Sequence, residues 1–256
     1  MKPAISLVIP MFNEEANIEH AIAYAVDALA QHAREYEIVI VDDASTDQSP
    51  ELVRRAIAGN PRIRLIRHEF NRKLGASLRT GFAAARYELI LYMDADLPFD
   101  PDVLGRAIRA MNVTRADMIS GYRFDRTIEG FKRTLYSMAY NLLIRILFGS
   151  RVRDVNFSFK LMKREVLEAI ELKSDGSLID AELIVKAKNH GFAIQQIGLD
   201  YFPRIHGEST LSSPAVIFKI VRELIALFPE MRRRVPRPKR GESGGDSSQV
   251  RSIAVP

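Results

Sequence analysis

The chain has 256 residues, 47% of them hydrophobic, and 37 Lys+Arg against 32 Asp+Glu give a formal charge of +5. That length builds one large domain or two small ones, and the absence of cysteine excludes disulfides and thiolate metal sites and fits a reducing compartment. With no Trp, no fixed-period repeat, no recognition motif and no compact basic stripe outside the C-terminal tail, the sequence argues against solenoids and against a nucleic-acid partner.

The opening segment "MKPAISLVIPMFNEE" carries a short apolar run that meets acids early, without the length or cleavage site of a signal peptide. Its core, 5–10, reads as a buried strand, and 15–33 has helical spacing. "YEIVIVDDAS" (36–45) is a second strand ending in acids, followed by a helix over 47–59 with Ser49 as its cap and Pro50 in its first turn. A third strand (63–69), a small-residue helix (74–86) and a fourth strand (88–96) follow. Asp100 and Pro101 open a further helix, and "ADMISGYR" (116–123) is a fifth strand. No window reaches about 18 uninterrupted apolar residues, so no transmembrane helix is expected.

Strands alternating with helices imply a mostly parallel sheet covered on both faces, which binds ligands outside the carboxyl ends of its strands. Asp42 and Asp43 end the second strand, and Asp94 and Asp96 end the fourth, so all four are expected along one edge. GxGxxG and GxxxxGK[ST] are both absent, which argues against a standard dinucleotide site and a P-loop.

In "LILYMDADLPFDP" (89–101) the carboxylates at i and i+2 point the same way from an extended chain. Two like charges held close call for a positive partner, and a hard divalent cation, Mg²⁺ or Mn²⁺, with substrate phosphates as further ligands suits them. Such an ion would stabilise a departing diphosphate. The plainer alternative makes Asp96 and Asp100 turn and capping residues with Asp94 solvated.

Taken in order, "VIPMFNEE", "IVIVDDASTD", "NRKLGASLRTGFAAA" and "YMDADLPFDP" resemble the catalytic domain of glycosyltransferase family 2, of GT-A fold. The closer likeness is to dolichol-phosphate mannosyltransferases and related polyprenyl-phosphate glycosyltransferases, which share segments like "DVNFSFKLMKRE" and "PRIHGESTL". The resemblance runs from about residue 4 to about residue 228. It implies an α/β GT-A fold with a mostly parallel central sheet flanked by helices, spanning 1–228, with 229–256 as a basic, Gly/Ser-rich disordered tail. It also implies roles. Pro10, Phe12, Asn13 and Glu14 would line the nucleotide pocket, and Asp42 and Asp43 would contact base or ribose. Lys73 and Arg79 fall in a segment closing over the nucleotide. Asp94 and Asp96 would hold the metal and diphosphate, and Arg123 would contact sugar or phosphate. Asp154 matches an active-site position, and Arg204 and Ser209 would hold an acceptor phosphate.

The implied reaction is inverting, metal-dependent transfer of a sugar from GDP-mannose or a UDP-sugar to a polyprenyl or dolichyl phosphate. The second reading keeps fold and donor but takes a saccharide, protein or lipid hydroxyl as acceptor. A hydroxyl needs a general base. A lipid phosphate, with a second pKa of about 6, is already a charged nucleophile. Asp154 is therefore expected to orient rather than deprotonate. Asp180 is the alternative base, or else a helix-start acid favoured by the dipole. Arg123, Lys132, Arg133, Arg151, Arg153 and Arg204 are the cations available to an anionic acceptor, or are solvated surface charges; His206 has no distinct assignment.

Residues 131–154 form a long apolar helix with basic ends, and 214–231 another ahead of a basic cluster. Packing on the core and contact with an anionic membrane surface both fit them. Where some relatives carry C-terminal transmembrane helices, the basic tail stands here. The expected location is peripheral, on the cytoplasmic face of a membrane. Nothing in the sequence indicates an oligomeric state.

Overall fold

The computed structural model describes residues 2–96, 102–124, 131–199 and 214–235. Strands β1 (Ala4–Met11), β2 (Glu35–Asp42), β3 (Ile63–Arg67), β4 (Leu89–Tyr92), β5 (Met118–Arg123), β6 (Lys160–Lys163) and β7 (Ile194–Leu199) form one sheet in the order β3-β2-β1-β4-β6-β5-β7. All neighbouring pairs are parallel except those of β6, which runs antiparallel to β4 and β5. The mostly parallel sheet expected from the alternating pattern is therefore present. β6 and β7 were not legible: "KLMK" is four residues long and "IQQIGL" has two glutamines where a buried strand would be apolar.

Helices α1 (Ile18–His32), α2 (Ser49–Gly59), α3 (Lys73–Ala84) and α4 (Asp102–Thr114) follow the first four strands. Further on come α5 (Phe131–Phe148), α6 (Arg164–Ala169), α7 (Ile179–Asn189) and α8 (Pro214–Arg232). One apolar layer packs α1 and α4 on one face of the sheet, through residues such as Ile22, Leu29, Leu104 and Met111. The other face is covered by α3, α5, α7 and the inner side of α8, through Leu78, Ile144, Ile184 and Leu224. Two covered faces explain why β1 and β2 are near-continuous apolar runs.

Several boundaries differ from the sequence expectation for local reasons. The second strand stops at Asp42, because Ala44 turns left-handed (φ +63°) and the Ser45 N–H folds back onto Asp42 Oδ1 at 2.8 Å. Ser49 is the first residue of α2 rather than its cap; Asp47 Oδ1 accepts the Ser49 N–H at 3.0 Å and the Ser49 hydroxyl at 2.6 Å. The helix expected over 131–154 ends at Phe148, where Gly149 (φ +64°) donates its N–H to Arg145 O, a left-handed helix stop. At the C-terminal end α8 runs past 228 to Arg232, and Met231 is 0% exposed, so the fold extends beyond the expected boundary. The Asp100–Pro101 helix start and most of the basic tail, from 236 on, lie outside the described residues.

One polar cluster lies at the opposite end of the strands. Glu37 on β2 is 4% exposed and accepts from Ser6 Oγ (2.8 Å), the Arg86 N–H (2.7 Å) and Arg64 Nη1 (2.7 Å). Removing one partner of a buried ion pair leaves the other uncompensated. Glu37→Ala is expected to cost about 3 kcal/mol of stability in urea unfolding, with the carboxyl edge of the sheet unaffected, because the cluster is remote from it.

Candidate active site

The carboxyl ends of β1, β2 and β4 form the edge on which the sequence placed its acids, because Met11 pairs with Asp42 and Val8 with Tyr92. Two regions of this edge carry the named residues.

The first lies beyond β1 and β2. Pro10 is within β1 and Phe12 is exposed just past it. Asn13 is left-handed (φ +56°); its N–H donates to Ser45 Oγ at 2.9 Å and its Oδ1 accepts the Thr46 N–H at 2.9 Å. The Glu14 N–H donates to Ser49 Oγ at 2.8 Å, and Glu14 Oε2 accepts from Asn17 at 2.7 Å. The two turns are thus laced together. Asp42 is buried, with Arg67 Nε 3.1 Å from Oδ2. Asp43 spends both oxygens on the protein: Oδ1 meets His68 Nδ1 (2.7 Å) and the Arg72 N–H (2.8 Å), and Oδ2 the Lys73 N–H (2.7 Å). Asp43 therefore organises the entry to α3 rather than offering a free carboxylate. Sequence reasoning missed His68, whose other nitrogen reaches Thr80 Oγ1 at 3.0 Å.

Asn13, Ala44 and Lys73 are all left-handed without being glycine, and all three sit at this edge. Such strain is retained where surrounding bonds over-determine it, typically at ligand sites. Lys73 is exposed at the start of α3. Arg79 is not: it binds Ser174 O and Asp175 Oδ1, clamping α3 to the loop before α7. The same clamp needs Gly75, where a Cβ would lie 2.1 Å from Ser174 O. In this structure Arg79, expected over the nucleotide, is engaged by that loop.

The second region lies beyond β4. Asp94 and Asp96 follow Tyr92, and both are half-buried. The Tyr92 hydroxyl donates to Asp94 Oδ1 at 3.2 Å, and Ser158 also bonds to the Asp94 carboxyl. Desolvation, then repulsion from Asp96, pushes Asp94 up to about 7, with Asp180 adding to the rise. Burial, then the carboxylates of Asp180 and Asp94, pushes the Tyr92 phenol well above its ordinary range.

Asp154 is 0% exposed and takes a two-pronged bond from Arg123, Nε to Oδ2 at 2.8 Å and Nη2 to Oδ1 at 3.1 Å. The guanidinium also lies 5.5 Å from the Phe157 ring centre. Asp180, on the first turn of α7, is 3% exposed and bonds Lys160 Nζ at 2.5 Å. Its carboxyl is raised mainly by burial, against the opposing charge of Lys160. The fold thus gathers Asp94, Asp96, Asp154, Asp180, Arg123 and Lys160, which the sequence spreads over 87 positions, into one polar site. Lys160, Tyr92 and Ser158 were missed. A lone lysine between core residues in "FSFKLM" was the available signal, since a buried ammonium must have a partner.

Among the described residues no group of three or more His, Cys, Asp or Glu is arranged to hold a metal. The Asp94–Asp96 pair nevertheless fits Mg²⁺ or Mn²⁺, which use one or two carboxylates and complete their shell with phosphate oxygens and water. Burial, with repulsion from Asp96 beside it, raises Asp94 to about 7, and a bound cation would offset that cost of ionisation. Arg204, Ser209 and His206 lie outside the described residues, as do the side chains of Lys132 and Arg133.

The solved structures most informative for this arrangement are two sugar transferases. Glucosyl-3-phosphoglycerate synthase from Mycobacterium tuberculosis, in complex with Mn²⁺, uridine-diphosphate-glucose and phosphoglyceric acid, superposes with a TM-score of 0.70 at 20% identity, covering 93% of this chain and 82% of that one. A mannosyltransferase from Pyrobaculum calidifontis in complex with GDP-Man and Mn²⁺ gives 0.66 at 20% identity, covering 93% and 66%. These likenesses establish the GT-A fold. Among curated relatives, "Glycosyltransferase AglD" of Haloferax volcanii is 30% identical over 78% of this chain and 33% of its own. The dolichol-phosphate mannosyltransferase of Pyrococcus furiosus is 29% identical over 88% and 63%. The dodecaprenyl-phosphate galacturonate synthase of Rhizobium johnstonii is 28% identical over 67% and 51%. The chain thus spans between a third and just under two thirds of the length of these relatives. The family model "Glycosyl transferase family 2" matches residues 6–171, and with that match on the ordered motifs of the sheet edge, the chain belongs to glycosyl transferase family 2.

Proposed function

We propose that this chain transfers a sugar from a nucleotide-sugar, with inversion, to a polyprenyl phosphate at a membrane surface. The observation that carries the acceptor class is the state of the two carboxylates a base mechanism would use. Asp154 is locked to Arg123 and Asp180 to Lys160, both buried. Arg123 takes both oxygens of Asp154, and Asp180 is enclosed beside Lys160, so neither carboxylate is presented to an incoming hydroxyl, and the site suits an acceptor that arrives already ionised, as a phosphate monoester does near neutral pH. Two relatives are named for transfer to dolichol phosphate and to dodecaprenyl phosphate.

Asp94 and Asp96 would hold Mg²⁺ or Mn²⁺, whose charge offsets that of the departing diphosphate. Pro10, Phe12, Asn13, Glu14 and Asp42 line the side on which base and ribose would sit, with Lys73 at the rim. Arg123, held by Asp154, aligns a planar set of donors toward sugar or phosphate. Arg204 and Ser209 are proposed for the acceptor phosphate.

The membrane reading rests on α5 and α8. Their inner faces meet through Phe148 and Phe228, ring centres 5.4 Å apart. Their outer faces leave Leu135, Met138, Leu142, Ile146, Phe218 and Ile225 exposed. Among the described residues no helix is long and apolar enough to cross a membrane. Apolar helix faces flanked by Arg151, Arg153 and Arg232–Arg234 suit an anionic surface. On this reading the chain acts peripherally, at the cytoplasmic face.

The test is transfer by the purified chain with Mg²⁺ or Mn²⁺, a panel of GDP- and UDP-sugars, and short and long polyprenyl phosphates. Metal-dependent glycolipid from one donor is expected. Ile146→Glu with Ile225→Glu should lower binding to anionic vesicles and use of the long acceptor about tenfold, at roughly 1 kcal/mol or more per buried side chain, while sparing a water-soluble short one. Product on hydroxyl acceptors only would move the assignment to the second reading.

A further inference from the structure

Lys160 is fully buried on β6, and the chemistry above leaves it without a task of its own. Its ammonium donates to the Phe157 carbonyl at 2.7 Å and to Asp180 at 2.5 Å, and lies 5.3 Å from the Tyr92 ring centre. Phe157 belongs to the turn that leads into β6. The same turn begins at Asp154, which faces Arg123, and includes Ser158, which bonds to Asp94. One ammonium therefore ties three things together: the start of α7, the turn 154–158, and the end of β4 just before Asp94.

Packing does not account for this choice of residues. A buried ion pair is often matched or exceeded in stability by apolar residues of similar volume. The dipole at the start of α7 favours a carboxylate there but gives no reason for a lysine opposite it. What the pair supplies and apolar residues would not is a fixed direction for the Phe157 carbonyl, and with it a fixed path for the turn.

We propose that Lys160 and Asp180 are a positioning pair: the ammonium, anchored on Asp180, fixes the turn that sets Asp154 against Arg123 and Ser158 against Asp94. The inference rests on the reading of Asp94 as a ligand of the donor's metal. It assigns Asp180 to support of the site and away from proton transfer.

The experiment uses the full chain with Lys160→Met and with Lys160→Met/Asp180→Leu. The single variant leaves Asp180 buried without its cation and is expected to melt well below the wild type. The double variant removes both charges and is expected to melt close to the wild type. Binding of GDP and of UDP, each with Mn²⁺, is read by calorimetry. In the double variant that binding should weaken by about tenfold or more, and transfer should fall by about 10–100-fold, as when a partner behind a metal ligand is lost. A double variant that melts, binds and transfers like the wild type overturns the proposal, and so does one that does not fold, since the pair would then be structural. If the wild type binds nucleotide but glycosylates no polyprenyl phosphate, the acceptor reading fails and the binding comparison still decides the role of the pair. If it binds neither nucleotide with Mn²⁺, the metal reading and the proposal fall together.

Discussion

Replacing Asp94 by asparagine is expected to abolish sugar transfer and, in metal-free protein at about pH 8, to raise the melting temperature. Both halves follow from the same charge. Asp94 is held at about 7 in the fold against an ordinary 3.8, because burial and Asp96 oppose its ionisation. The folded chain thus keeps a proton that the unfolded chain has released, and stability falls as pH rises through that interval. Above about pH 7 the cost is complete; below about pH 4 both states are protonated and it vanishes. Asparagine carries no charge, keeps an oxygen for the Tyr92 hydroxyl and escapes the cost. The gain should therefore be largest in alkaline buffer and absent in acid. Mn²⁺ with GDP or UDP should reverse the order, stabilising the wild type and leaving Asp94→Asn nearly unmoved. Thermal melts of the two proteins across pH, with and without Mn²⁺ and nucleotide, decide it. An asparagine variant that melts no higher than the wild type at pH 8 would show that Asp94 carries no such burden.

That conflict between stability and function was half legible in the sequence. Asp94 and Asp96 stand out because they end an apolar run, and the alternation of strands and helices assigns them to the ligand edge before any coordinates. What the sequence hid was how the other side of the site pairs: Asp154, Asp180 and Arg123 were readable as candidates, but Lys160 and the pairing of the acids with their cations were not. Asp154 and Lys160 come from a turn and a four-residue antiparallel strand that insert between β4 and β5, and no local pattern announces a pairing between segments about 70 residues apart. Arg79 is a related case. Its position in a motif suggested a ligand, and nothing in the sequence signalled that the side chain also reaches the loop at Ser174 and Asp175, the first 95 residues away. Asp43 is another: its place at the edge was readable, whereas its full set of protein partners was not. Long-range polar pairing is decided by topology, and a sequence read one element at a time reveals the topology only where a strand is long and apolar.

The Asp154–Arg123 pair separates the two acceptor classes. In a base mechanism Asp154→Asn removes the group that takes the proton, so the variant should lose the rise of activity with pH that this group produces. In the arrangement described here Asp154 already serves Arg123 with both oxygens and has no exposure to solvent. Asparagine keeps the shape, loses the charge and offers one acceptor in place of two, so Arg123 is left partly answered in a buried position. The expected result with a polyprenyl phosphate is a loss of about a hundredfold in kcat/KM, about 2.7 kcal/mol of transition-state stabilisation. The shape of the pH profile should not change, because the rise near pH 6 belongs to the second ionisation of the acceptor phosphate. Arg123→Lys should lose a comparable amount, since an ammonium cannot reproduce the two-pronged bond. Profiles of kcat/KM against pH for the three proteins, measured with one phosphate acceptor, make the distinction. A profile that falls uniformly places Asp154 behind Arg123 as its support. A profile that goes flat in Asp154→Asn alone makes Asp154 the base.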